Sequence, residues 1–230
     1  MAPNHVDVLI IGGGLSGIAA AYHLQKKCPA KSFAILEARP RIGGTWDLFQ
    51  YPGIRSDSDM FTLGYSFRPW MEGEAIADGG KILDYIKQTA ADFGIDKKIE
   101  FGMRAKRAVW STRNATWTIE AERAEDGTRV ELTCNFLFAC SGYYDYDQGY
   151  LPSFEGSERF SGQVIHPQKW PQDLQYDGKQ IVVIGSGATA ITLVPAMAAR
   201  AAKVTMLQRS PSYVFSRPNQ DRLANFLRVG

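Results

Sequence analysis

The sequence is poor in the features that would tie it to export, metal or nucleic acid. It has 3 cysteines in 230 residues, Cys28, Cys134 and Cys140, odd in number, far apart and without a CxxC pair. That usage reads as the reduced thiols of a cytoplasmic protein, with Cys134 and Cys140 packed in strands, and it offers no metal-ligand spacing. No run of like charges occurs and the formal net charge is only +2, which argues against a nucleic-acid arm or a polybasic membrane anchor. No apolar stretch reaches the roughly 20 residues of a spanning helix. Val8 to Ala21 is apolar enough to imitate a signal peptide. However, Asp7 stands where a positive charge belongs, and Gly12, Gly13, Gly14 and Gly17 interrupt the run. Peripheral membrane association is left open.

What is present is an ordinary globular composition, 45% hydrophobic and 22% charged, on a chain long enough for one large domain or two small ones. Val6–Ile11 is a β-branched apolar run that ends at glycine and reads as a buried parallel strand. Leu15–Lys27 has helical spacing, and Phe33–Glu37 reads as a second strand, completing a βαβ unit. Ile82–Phe93 predicts an amphipathic helix with Ile82, Leu83, Ile86, Ala90 and Phe93 on one face. Three short strands, 108–110, 116–119 and 130–132, with turn residues at Arg113-Asn114 and Asp126-Gly127, predict an antiparallel meander. Asn135–Cys140 reads as a separate apolar strand. A second βαβ unit follows, with strand 182–184, helix 188–199 and strand 204–207, and a last helix is expected over Asp221–Val229. The fold class is therefore α/β: two Rossmann-like dinucleotide-binding domains, the first with an antiparallel meander inserted, the second incomplete. Expected boundaries are 1–145, an interdomain linker at 146–177, and 178–230. The second sheet is expected to have an uncovered edge.

The chemistry lies in the two strand–glycine–helix turns. Gly12-Gly13-Gly14-Leu15-Ser16-Gly17 is GxGxxG. Gly12 permits the tight turn, Gly14 lets a pyrophosphate approach the backbone, and Gly17 lets the helix pack against the sheet. Glu37, at the end of the next strand, is placed to accept hydrogen bonds from a ribose diol and to repel a 2′-phosphate, which favours FAD or NAD. The second turn, Gly185-Ser186-Gly187-Ala188-Thr189-Ala190, is GxGxxA, and its second strand is followed by Gln208-Arg209-Ser210 rather than an acid. Arg209 can clamp a 2′-phosphate and Ser210 can add a hydrogen bond, which points to NADPH; the alternative is a solvated Arg209. An acid-marked and an arginine-marked site together imply hydride traffic between NADPH and FAD.

Residues 44–57 read GTWDLFQYPGIRSD, and residues 160–171 read FSGQVIHPQKWP. The first resembles the Gly-x-Trp…Tyr-Pro-Gly…Asp pattern of Baeyer–Villiger monooxygenases. The second matches that family's F-x-G-x-x-x-H-x-x-x-W-P fingerprint at Phe160, Gly162, His166, Trp170 and Pro171. YPGIRSDSDMFTLGYSFRPW and QIVVIGSGATAITLVPA are similar to the family's ethionamide-activating branch.

The resemblance implies oxygenation of ketones, or of sulfur in thioamides and sulfides, with O2 through a C4a-peroxyflavin. It implies that Ser16, Glu37, Gly44, Thr45, Trp46, Asp47, Leu48 and Asp57 surround FAD. It places Arg55, Ser56 and Asp57 where flavin and nicotinamide meet, with Arg55, Asp57 and His166 serving catalysis and His166 and Trp170 coupling the domains. Asp57 would hold an active-site arginine; a helix N-cap in SDSDM is its other reading. Members of the family are about twice as long, so that arginine is expected beyond position 230, and these residues alone are expected to bind FAD weakly and not to turn over. Three alternatives stay open: an amine- or sulfide-oxygenating flavin-containing monooxygenase, against which Trp170-Pro171 argues; an NADPH oxidase; and a non-catalytic nucleotide-binding fragment.

Overall fold

The structure is a computed structural model and describes residues 4–216, 218–221 and 225–227. In chain order these carry β1 (His5–Ile11), α1 (Leu15–Lys27), β2 (Phe33–Glu37), α2 (Thr45–Leu48), α3 (Met60–Leu63), α4 (Gly79–Asp92), β3 (Ile99–Phe101), β4 (Met103–Ser111), β5 (Thr116–Arg123), β6 (Arg129–Ala139), β7 (Gln180–Ile184), α5 (Ala188–Ala198) and β8 (Lys203–Leu207). Single 3-10 turns occur at Asp96–Lys98, Ser157–Arg159 and Pro167–Lys169. Of the helix expected over Asp221–Val229, residues 225–227 are helical and residues 222–224 and 228–230 lie outside the described residues. The chain divides into two compact units: Met1–Leu48 with Leu83–Tyr144, and Phe49–Ile82 with Asp145–Gly230.

The first unit is built on β1, whose Val6, Leu9 and Ile10 are buried. A strand so apolar on both faces needs neighbours on both edges and cover on both sides. It pairs in parallel with β2, Val8 opposite Phe33, and with β6, Val8 opposite Phe136. The full order is β3-β2-β1-β6-β5-β4. Inward residues Val6, Leu9, Leu36, Ile119, Leu132 and Cys134 form one apolar cluster; fully burying an aliphatic side chain of this size is worth about 1.5–3 kcal/mol. α1 presents Gly17, Ile18, Ala20 and Ala21 as its buried stripe. α4 carries fully buried Ile82, Ile86 and Ala90 at helical spacing, as the periodicity predicts.

The meander is present, with β4–β5 and β5–β6 antiparallel. The sequence divides residues 130–140 into two strands, whereas the structure has one, β6. Its Thr133 and Cys134 pair with Thr118 and Trp117 of β5 on one edge and with His5 and Val6 of β1 on the other. The meander is thus an extension of the parallel sheet, and Thr133, between the two expected strands, sits inside a ladder. Trp110 and Trp117 form a cross-strand pair with ring centroids 5.4 Å apart, a contact that stabilises a sheet locally.

The second unit contains a two-stranded parallel sheet, β7 and β8, with Val182 opposite Thr205 and Ile184 opposite Leu207. α5 buries Ala190, Thr192, Leu193 and Met197. Val182, Ile184 and Leu207 are exposed. Residues 49–82 belong to this unit although they precede most of the first one in the chain. Ala75 N–H donates to the Asn219 carbonyl at 2.8 Å, and Asn225 Nδ2 to the Gly73 carbonyl at 3.1 Å, tying these residues to the segment after β8.

Candidate functional site: two glycine turns and a linker

The first turn is closed by its own backbone. Gly12 N–H donates to the Leu36 carbonyl and Cys140 N–H to the Ile11 carbonyl, each at 2.8 Å. Gly12 has φ +109°, and a Cβ there would strike the Cys140 carbonyl. A Cβ on Gly17 would strike the Gly12 carbonyl, so close packing of helix on strand leaves no side-chain volume. Gly14 is the N-cap of α1; no side chain caps the helix and its first turn holds no acid. A helix start without a side-chain cap or a nearby acid, and the positive dipole end it presents, suit a pyrophosphate. Ser16 is exposed beside them.

Glu37 is buried, 6% exposed. Its Oε2 accepts the Gly13 N–H at 2.6 Å and its Oε1 the Arg39 N–H at 2.9 Å. Each oxygen keeps a lone pair, so the same carboxylate can hold a ribose diol while bracing the turn. Opposite Gly14, a Cβ would come 3.4 Å from Gly44 Cα, and Gly43 N–H donates to the Gly13 carbonyl at 3.1 Å. Gly44 thus lies against the turn and leads into α2, the short helix of Thr45, Trp46, Asp47 and Leu48.

Asp47 is 3% exposed and carries two ion pairs, Arg39 Nη2 at 2.5 Å and Arg41 Nε at 2.9 Å. The hydrogen bond and charge of Asp47 push the Arg41 guanidinium above its usual value. Arg39 also donates to the Gly44 carbonyl at 3.2 Å. Sequence reasoning named Asp47 and missed Arg39 and Arg41; the signal was an R-x-R pair two and four residues after Glu37. Burial raises the thiol pKa of both Cys134 and Cys140, which disfavours their thiolate forms.

The second turn is open. A Cβ on Gly185 or Gly187 would meet nothing within 4 Å among the described residues. Gly187 is the N-cap of α5, again without a side-chain cap or a first-turn acid. Ser186 Oγ donates to the Ser210 carbonyl at 3.2 Å, and Ser212 Oγ donates to the Ser186 carbonyl at 2.7 Å. These bonds hold the segment after β8 against the turn. Ser212 was not foreseen. Arg209 is exposed and makes no ion pair among the described residues, which leaves its guanidinium available. Ala188 and Thr189 form the first turn of α5, and Ala190 is buried.

The linker is folded on itself. His166 has its ring over Gly149, where a Cβ would collide with it, and its Nδ1 accepts the Gln168 N–H at 3.2 Å. Gln168, 5% exposed, donates to the Asp145 carbonyl at 2.6 Å. Trp170 meets Tyr176 edge-on at 6.4 Å. Phe160 is exposed, with its ring folded over Gly162. Gln168 is a further residue the sequence did not single out, because a glutamine between two prolines gives no periodic signal.

The segment of Arg55, Ser56 and Asp57 belongs to the second unit. Ser56 is buried, accepting the Ala77 N–H at 3.0 Å, while Arg55 and Asp57 are exposed. The helix cap of SDSDM is Asp59, which accepts the Thr62 N–H at 2.9 Å. Asp57 has no such role.

Comparisons with known proteins agree with this arrangement. The flavin-binding monooxygenase-like family matches residues 61–224 and an NAD(P)-binding Rossmann-like domain matches residues 10–72. The FAD-containing monooxygenase EthA of Mycobacterium tuberculosis is 61% identical over 225 residues, 97% of this chain and 46% of that protein. A steroid monooxygenase bound to NADP is 30% identical with a TM-score of 0.78, covering 91% of this chain and 39% of that one. OTEMO in complex with FAD and NADP is 27% identical with a TM-score of 0.76, covering 90% and 39%. The chain spans about half the length of the curated relatives it matches. EthA is FAD-containing, the steroid monooxygenase is bound to NADP, and OTEMO holds both FAD and NADP; strand–glycine–helix turns of the kind found twice in this chain bind such dinucleotides. No helix among the described residues is long and apolar enough to cross a membrane. The chain belongs to the flavin-binding monooxygenase-like family.

Proposed function

We propose that the protein takes part in oxygenating ketones, or the sulfur of thioamides and sulfides, with FAD held at the first turn and NADPH at the second. The observation that carries the reading is the contrast between two uncapped helix N-termini, one followed by a buried acid, Glu37, and the other by a free cation, Arg209. Bound FAD and NADPH supply the hydride and oxygen chemistry that no side chain provides. The chain's own residues bind, orient and shield.

Gly12, Gly14 and Gly17 admit the flavin pyrophosphate to the start of α1, Ser16 adds a hydroxyl, and Glu37 accepts the ribose diol. Gly44, Thr45, Trp46, Asp47 and Leu48 close over it. Gly185, Ser186, Gly187, Ala188, Thr189 and Ala190 admit the nicotinamide dinucleotide to α5, and Arg209 and Ser210 take its 2′-phosphate. Arg55 and Ser56 contact the nicotinamide half. The exposed Asp57 carboxylate accepts hydrogen bonds from a guanidinium that stabilises developing negative charge. His166 orients the linker. The domains assigned to these roles are 1–145 and 178–230, joined by 146–177.

The test is aerobic incubation of purified protein with FAD, NADPH and either a cyclic ketone or a thioamide, following NADPH loss, peroxide and product. Ester, lactone or S-oxide formed in step with NADPH loss supports the proposal. Peroxide as the only product points to an oxidase, FAD bound without any turnover matches the expectation for these residues alone, and no change in flavin fluorescence on titrating FAD with the protein overturns the first-site assignment.

A further inference from the structure

Tyr51-Pro52-Gly53-Ile54 is a type II turn, closed by Ile54 N–H donating to the Tyr51 carbonyl at 3.3 Å, with Gly53 at φ +80°. Proline at the second position and glycine at the third are what that turn requires. Glycine is also required for a second reason. A Cβ at Gly53 would lie 2.6 Å from the Thr192 carbonyl and 2.7 Å from the Ala196 methyl, both on α5. The turn is thus seated on the helix backbone. From there the strand of chain continues straight into Arg55, Ser56 and Asp57. Its far side is also pinned: Gly79 N–H donates to the Ile54 carbonyl at 3.0 Å, Ser56 N–H to the Ala77 carbonyl at 2.9 Å, and Ala77 N–H to Ser56 Oγ at 3.0 Å. Thr192 meanwhile turns its hydroxyl back to the Ala188 and Thr189 carbonyls, at 3.2 and 3.1 Å, in the first turn of the same helix.

We infer that Gly53 is a positioning residue that couples occupancy of the second glycine turn to the placement of Arg55–Asp57. A ligand that fixes the start of α5 fixes Thr192, and Thr192 is the seat of the turn. By linkage, whatever lifts the turn off its seat uncouples the Arg55–Asp57 segment from the ligand. The inference rests on reading Gly185–Ala190 as a dinucleotide site, and its test separates the two.

Arg55 is exposed while Ser56 is 2% exposed, so trypsin can cut Arg55–Ser56 only when the segment opens, and the cleavage rate reports the open population. The experiment is timed trypsin digestion of the full chain, read by mass spectrometry, with and without NADP⁺ or 2′,5′-ADP, the binding of each followed separately by intrinsic fluorescence. Gly53→Asn keeps a residue that tolerates positive φ but adds the colliding Cβ; Ala196→Leu crowds the seat from the helix side with Gly53 intact. Gly178→Asn is the control, since Gly178 also has positive φ but faces open space.

Both seat variants should be cut at Arg55–Ser56 about tenfold faster than wild type, as overpacking of this kind allows, with cutting at Arg113 in the β4–β5 turn unchanged and Gly178→Asn behaving as wild type. NADP⁺ and also 2′,5′-ADP, which lacks the nicotinamide that Arg55 and Ser56 are proposed to contact, should protect Arg55–Ser56 in wild type and in Gly178→Asn, and 2′,5′-ADP should bind the seat variants without protecting it. Protection by NADP⁺ alone is direct contact and overturns the coupling. Equal cleavage in seat variants and control overturns the seat. Binding of NADP⁺ to wild type without protection overturns the coupling alone. Failure of NADP⁺ to bind wild type overturns the dinucleotide reading and the coupling together.

Discussion

The two glycine turns share a pattern and differ in how much of the site the protein builds for itself. Around the first, every side is protein: the Cys140 carbonyl lies where Gly12 would carry a Cβ, the Gly12 carbonyl where Gly17 would, and Glu37 bonds the Gly13 N–H. Around the second, Gly185 and Gly187 face open space among the described residues, the third position is Ala190, and Arg209 is exposed. The same six-residue motif is therefore a packing constraint in one unit and chiefly a binding constraint in the other. A substitution at Gly12 or Gly17 should damage the fold before it damages binding; at Gly187, which has open space and no positive φ, the order should reverse.

The comparison can be pushed hardest at Asp47, which braces the cover of the first turn and has no counterpart identified at the second. Asp47→Ala leaves the Arg39 guanidinium, only 19% exposed, facing a gap, while Arg41, 56% exposed, is hydrated instead; the change should cost about 3 kcal/mol, seen as a fall in the urea midpoint. Next is Gly17→Ala, expected to cost about 1–3 kcal/mol from overpacking. The matching Gly187→Ala should stay within about 0.5 kcal/mol of wild type in stability while weakening NADP⁺ binding; equal destabilisation by both would erase the contrast. Arg209→Ala should lower NADPH affinity about ten- to a hundredfold, as the loss of a hydrogen bond to a charged group does, with NADH affinity unmoved in parallel titrations.

The smallest effect concerns pH and only the first unit. Hydrogen bonds from the Ser32 side chain and backbone, with that of Lys31, hold the Asp7 carboxyl well below the usual carboxylate range. A depressed folded-state value means stability that is present in full above the unfolded value of about 3.9 and lost as pH falls below it towards the folded value. Denaturant midpoints of wild type and Asp7→Asn should therefore converge as pH is lowered from 5 to 2.

Much of this was legible in the sequence because it follows from local patterns. The strand–glycine–helix punctuation located both turns, and the bounds of α1 and β2 follow directly from periodicity. The acid at Glu37 was visible as the residue that ends its strand, and the cation at Arg209 as the charge two residues past the end of its own. What was hidden depends on partners distant in the chain. The join of residues 130–139 into one strand requires β1 and β5 on either edge. The membership of residues 49–82 in the second unit depends on the seat of Gly53 on α5 and on the straps to Asn219. Arg39, Gln168 and Ser212 act through specific hydrogen bonds, which leave no period to read.

The central claim is that the two turns hold two different dinucleotides. Equilibrium titration of the chain with FAD and with NADP⁺, on wild type, Glu37→Gln and Arg209→Ala, tests it most directly. One FAD and one NADP⁺ should bind without competing, Glu37→Gln weakening only FAD and Arg209→Ala weakening only NADP⁺. Mutual displacement of the two ligands, or one substitution weakening both equally, would contradict it.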